Sequence, residues 1–113
     1  MIKENEREKL VYGETDVERE DPLGLHPSIH LKYIKIKNNL LEEEGCTYGI
    51  EIIKEEKNAN KIDEEREEIG ALYRSEERAN EVLEILKRNK VTPVELKDVI
   101  SDINYQYEWE IRD

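Results

Sequence analysis

The sequence contains no phenylalanine, one cysteine, one tryptophan and three prolines. A single cysteine excludes an intrachain disulfide and any zinc module built on cysteine ligands. No apolar run approaches the roughly 18 residues that a membrane helix requires, so no membrane partner is expected. No glycine-rich phosphate loop and no Asp-x-Asp-x-Asp-Gly calcium loop is present, so no cofactor is expected. Positive charge is scarce as well. Lys and Arg number 18 against 29 Asp and Glu, a formal net charge of -11. Such a surface repels a phosphate backbone and argues against nucleic-acid binding. The opening MIKENEREKL lacks the apolar stretch of a secretory signal, and a lone thiol suits a reducing compartment. The expected location is therefore the cytoplasm.

What remains is a chain of 113 residues in which 42% are charged and 36% hydrophobic. That length suits one domain with one core. Residues 1–28 read as an acidic, loosely structured N-terminal arm. Their apolar residues form only the short cluster Leu10-Val11-Tyr12, and Pro22, Gly24 and Pro27 break any regular element. A short strand through Leu10–Tyr12 joining the main sheet is one alternative, and an arm that docks on a neighbouring subunit is another. From Ile29 an alternating pattern begins: Ile29, Leu31 and Tyr33, then Ile34 and Ile36 after a slip of phase. Such a slip is what a β-bulge near Tyr33-Ile34 produces. The run Glu42-Glu43-Glu44-Gly45 reads as a turn, with Gly45 free to take positive φ. Cys46, Tyr48, Ile50 and Ile52 share one face of the next strand, which makes a hairpin with the first. Gly49 within that strand demands a close approach by something bulky or by backbone. A third strand ends at Tyr73.

Two helices complete the pattern. Ser75 is a good N-cap followed by Glu76 and Glu77, acids that favour the positive end of the helix dipole. Ala79, Val82, Leu83 and Leu86 recur at helical spacing, and Asn89 is placed to stop the helix in the left-handed conformation. Thr92-Pro93-Val94-Glu95 is a capping box with proline at the first helical position. Val91 and Leu96 sit where a hydrophobic staple needs them, and Leu96, Val99, Ile100 and Ile103 form the second stripe. The segment 104–113 is an aromatic tail whose spacing fits either a helix extension or an edge strand.

The fold class this implies is α+β: an antiparallel sheet of three or more strands with two C-terminal helices packed on one face. Residues 29–103 form the single domain. The stripes of Val82, Leu83, Leu86, Leu96, Val99 and Ile100 should cover Tyr48, Ile50 and Ile52. The other face, with Lys35, Glu51 and Ile53, should be wet.

Candidate chemistry is sparse. His26 and His30 have the i,i+4 spacing of helical metal ligands, but Pro27 and the β pattern after Ile29 argue against a helix there. Cys46 with one of these histidines would make a nucleophile–base pair if folding brought them together. Its position beside Tyr48 suits a small buried side chain better. The charge runs at 42–44 and 63–68 lack the contrasting environments that separate an acid from a base. The helix pair outlines a helix-turn-helix. Its second helix offers Glu95, Asp98 and Asp102 with one Lys97, the wrong chemistry for reading bases. No catalytic, cofactor-binding or metal-binding residue is assigned. Tyr105, Tyr107 and Trp109 are the candidate interaction residues, since aromatics are favoured at interfaces.

Two stretches, Thr47-Tyr48-Gly49-Ile50-Glu51-Ile52 and Val91-Thr92-Pro93-Val94-Glu95-Leu96-Lys97-Asp98-Val99-Ile100-Ser101-Asp102, resemble a family of small proteins from clostridia and related Firmicutes with no assigned activity. The resemblance covers about Ile29 to Ile103. It implies a strand pair, a third strand and two helices, and no reaction. The function expected from the residues themselves is non-catalytic: an acidic protein-interaction or regulatory module with a basic protein partner, or a homodimer through the aromatic tail. A DNA-mimicking inhibitor of a nucleic-acid-binding protein is one alternative. A small enzyme or ligand-binding domain using Cys46 with His26 or His30 is the other.

Overall fold

A computed structural model describes residues 6–17, 28–40, 45–58 and 60–111, with side chains between residues 7 and 105. Four strands, β1 (Glu6–Val17), β2 (Ser28–Asn39), β3 (Cys46–Asn58) and β4 (Lys61–Tyr73), precede helix α1 (Glu76–Arg88). A 3₁₀ turn (Pro93–Glu95) leads into helix α2 (Leu96–Ile111). The strands form one antiparallel meander in the order β1-β2-β3-β4. Both helices pack on one face, as their apolar stripes require. Ile29, Leu31, Tyr33, Ile50 and Ile52 meet Val82, Leu83, Leu86, Val91, Leu96 and Ile100 in a single core. The phenol of Tyr33 is buried there and donates to the carbonyl of Val91 at 2.9 Å, tying the sheet to the link between the helices.

The N-terminal segment departs from the expected loose arm. Glu6–Val17 is a full edge strand paired with β2 from Glu6↔Asn39 to Val17↔Ile29. Its charged residues fit an edge, where side chains reach water and hinder unwanted pairing. The expected bulge at Tyr33-Ile34 lies on the neighbouring strand instead. The β1–β2 register shifts between Val11 and Gly13, opposite Ile34 and Tyr33, and β2 itself pairs evenly with β3. The slip of phase in β2 arises because both of its faces are apolar: Ile29, Leu31 and Tyr33 face the helices, and Ile34 and Ile36 the other side.

That second face is not wet at its centre. Ile36 is fully buried and Glu51 is only 2% exposed, although both described helices pack on the opposite face. Arg7 and Lys9 at the start of β1 pair with Glu68 on β4, three strands away. In a flat sheet three strand spacings alone would separate them by about 14 Å. Twist makes a sheet saddle-shaped, so one pair of opposite corners folds toward each face. Here one pair folds over Ile34, Ile36 and Ile53. Lys9 also reaches Glu51 at 3.2 Å, which neutralises this buried carboxylate. Lys35, expected on this face, lies on the helix side instead, where its ammonium meets Glu76 at 2.8 Å and Asn80 at 3.1 Å.

Local signals at the turns and caps are met except at the end of α1. Gly45 has φ of 83°. A Cβ at Gly49 would stand 2.3 Å from the carbonyl oxygens of Ile69 and Gly70, because β4 bulges against it between the pairs Tyr48↔Tyr73 and Ile50↔Ile69. The Ser75 hydroxyl caps α1 by accepting from the Arg78 N–H at 3.1 Å. The left-handed residue after α1 is Lys90, φ 51°, and not Asn89, φ -94°. Lys90 N–H bonds Lys87 O and Val91 N–H bonds Leu86 O, the paired bonds of a Schellman stop. The Lys90 ammonium donates to the carbonyl of Asp16, which ties this turn to β1. Glu95 accepts from the Thr92 N–H at 3.1 Å and its hydroxyl at 2.6 Å, and these bonds hold its carboxyl below the usual carboxylate range. Of the two readings of the tail, the backbone takes the helical one as far as Ile111.

Candidate interaction surface

Helix α1 runs beside β1 in the same direction. Tyr12 meets Glu84, the backbone of Gly13 lies under Lys87, and Asp16 meets Lys90. Between them lies a groove of about 730 Å³, lined by Tyr12, Asn80, Ile85, Arg88 and the carboxylates of Glu76, Glu77, Glu81 and Glu84. Helical geometry explains the alignment: 77, 81, 84 and 88 are spaced by four, three and four residues, which stacks them on one flank. The apolar residues Val82, Leu83 and Leu86 claim the opposite flank, so these acids must face outward.

The carboxylates differ in how they are held. Glu76 takes the Lys35 ammonium, which lowers its proton affinity. Glu81 takes the guanidinium of Arg78 at 3.1 Å. Glu84 accepts from the phenol of Tyr12 at 3.2 Å; burial and that bond both push the phenol's pKa upward. No hydrogen bond or ion pair engages Glu77 among the described residues. The groove therefore offers fixed negative charge along one wall and a Tyr12–Ile85 apolar surface within it.

A second, smaller hollow of about 360 Å³ lies near the far ends of β1 and β2, lined by Asp16, Ser28, Ile29, His30, Glu55 and Lys57. His30 stands between two carboxylates, with Nε2 2.8 Å from Glu14 and Nδ1 2.7 Å from Asp16. A doubly protonated ring satisfies both, and the bonds to Glu14 and then Asp16 raise the imidazole's pKa.

The structure does not bring Cys46 and His30 together. Cys46 pairs with Asn39 and His30 with Glu55, so about nine residues of strand, roughly 30 Å, part them. The thiol donates instead to the side-chain oxygen of Asn39 at 3.3 Å. His26 lies outside the described residues. Among those described, no group of three His, Cys, Asp or Glu is arranged to hold a metal ion. No described helix is long and apolar enough to cross a membrane. Tyr105 stands on α2 and is 64% exposed, while the side chains of Tyr107 and Trp109 lie outside the described residues. The acidic flank of α1 was not singled out from sequence, where Glu76 and Glu77 served only as N-terminal acids. Its signal was the spacing of Glu77, Glu81 and Glu84 opposite the apolar stripe.

A four-stranded meander with two C-terminal helices on one face defines this as a small α+β protein. The chain belongs to a family of unknown function, DUF6514, whose model matches residues 8–106. That span takes in nearly all of β1 as well as α1. No curated protein and no solved structure matches the chain.

Proposed function

We propose that this protein is a non-catalytic cytoplasmic interaction module that regulates a basic protein partner by binding it along the acidic flank of α1. The observation that carries the reading is the groove lined by Glu76, Glu77, Glu81 and Glu84, with Arg88 its one cationic residue. Glu76 and Glu81 are already paired with Lys35 and Arg78, so Glu77 and Glu84 supply the uncompensated charge that attracts a cationic segment, and a net charge of -11 steers it there. A shallow, partly apolar wall with Tyr12 and Ile85 suits a polypeptide better than it suits mimicry of a phosphate ridge, so protein binding is favoured over a DNA-mimic role. The motifs at 47–52 and 91–102 support a host among the clostridia and related Firmicutes.

The test is fluorescence anisotropy with a labelled lysine-rich peptide. E77Q/E81Q should weaken binding about tenfold. The control E64Q/E65Q removes the same charge from β4 and should change binding less than twofold. Equal losses from the two variants would show attraction to net charge alone and would refute the site.

A further inference from the structure

We infer that the occupant of the acidic groove is an extended basic segment that adds as a fifth strand to the free edge of β1, its cationic side chains turned toward the carboxylates of α1. This rests on the reading of the α1 flank as the recognition surface and specifies the partner's conformation.

Three observations converge. First, among the described residues β1, which runs from Glu6 to Val17, has a strand neighbour on one side only, so its other edge carries no paired strand, and Lys90 reaches the backbone of β1 at Asp16 alone. Such an edge is a template for another strand. It is also apolar at its middle, where Leu10 and Val11 are 47% and 59% exposed.

Second, the groove lies alongside this strand. Tyr12 of β1 lines it together with the outer flank of α1, and the contacts at Tyr12, Gly13 and Asp16 keep helix and strand in step. A fifth strand beside β1 turns every second side chain to the helix-bearing face.

Third, one spacing matches. Alternate side chains of a strand recur at about 6.8 Å. Glu77 and Glu81 are four helical residues apart, about 6 Å along the axis, and Glu84 follows about 4.5 Å further. Two lysines at alternate positions of an added strand therefore face Glu77 and Glu81, the second sharing Glu81 with Arg78, and a third falls about 3 Å beyond Glu84. Glu77, which no other side chain engages among the described residues, is the first of the three.

The probe is a fluorescein-labelled nine-residue peptide alternating lysine and valine, measured against the full chain. Two further peptides carry N-methyl groups on the odd or on the even residues. Only one parity of amides faces the edge in an added strand. Methylation at that parity should weaken binding at least tenfold and the other parity less than threefold. Amide exchange at alternate residues of β1 should slow on binding. If both methylated peptides bind as tightly as the parent, strand addition is refuted while the acidic-flank reading stands. If the parent peptide does not bind, or binds E77Q/E81Q equally well, both fail.

Discussion

Replacing Gly49 by alanine tests the account of the sheet most sharply. The new Cβ would sit 2.3 Å from two backbone oxygens, those of Ile69 and Gly70. Ordinary contact needs roughly 1 Å more, and neither oxygen is the tip of a flexible side chain. Strand β4 must move away from β3 at its bulge. Overpacking of this kind costs about 1–3 kcal/mol. The Asn38 amide, which donates to Gly70 O at 2.7 Å, loses its geometry as well, at about 1 kcal/mol. Against this, alanine restricts the unfolded chain and returns about 0.5 kcal/mol. The net loss is about 1.5–3.5 kcal/mol. With a urea dependence of about 1.5 kcal/mol per molar, the midpoint should fall by about 1–2.3 M. Gly70→Ala is the control, since nothing lies within 4 Å of its Cβ. It should leave the midpoint unchanged or raise it slightly. A G49A midpoint within about 0.3 M of the parent would refute the packing argument.

Three further outcomes are expected. Tyr33→Phe removes a buried donor and leaves Val91 O without its partner, so stability measured by urea unfolding should drop by about 1–2 kcal/mol. At Lys90, which has φ 51°, glycine should be more stable than alanine by about 1 kcal/mol by thermal or urea unfolding, because both lose the bond to Asp16 and only alanine bears the left-handed cost. The folded-state pKa of His30 is raised above its ordinary 6.5 by Glu14 and Asp16. Its contribution is therefore complete below about 6.5 and is lost as pH climbs through the raised value. Stability curves from pH 5.5 to 8.5 should show that decline in the parent and not in His30→Gln.

Much of the fold could be read from residues whose burial follows a single period. Tyr48, Ile50 and Ile52 alternate, and Val82, Leu83 and Leu86 repeat as a helix, so the pairing of sheet and helices followed. Ser75 and Thr92-Pro93-Val94-Glu95 marked helix starts because capping chemistry is local. β1 was hidden for a physical reason. An edge strand keeps charges on both faces, so Arg7, Glu8 and Lys9 carry no alternation to detect. Ile34 looked like a bulge because the sequence shows burial on two faces and cannot show that a twisted corner folds over the second. Lys35 was misplaced by the same logic. The groove was half legible: the acids of α1 have a visible spacing, but the wall supplied by Tyr12 exists only once β1 is paired and its bulge turns that ring toward the helix.

The central claim is that recognition happens on the α1–β1 flank. The most direct measurement is a map of amide chemical-shift changes while a lysine-rich peptide is titrated into the protein. The account places the changes in residues 10–17 and 76–88. Changes centred on the acidic stretch 63–68 of β4, or spread evenly over all acidic surfaces, would contradict it.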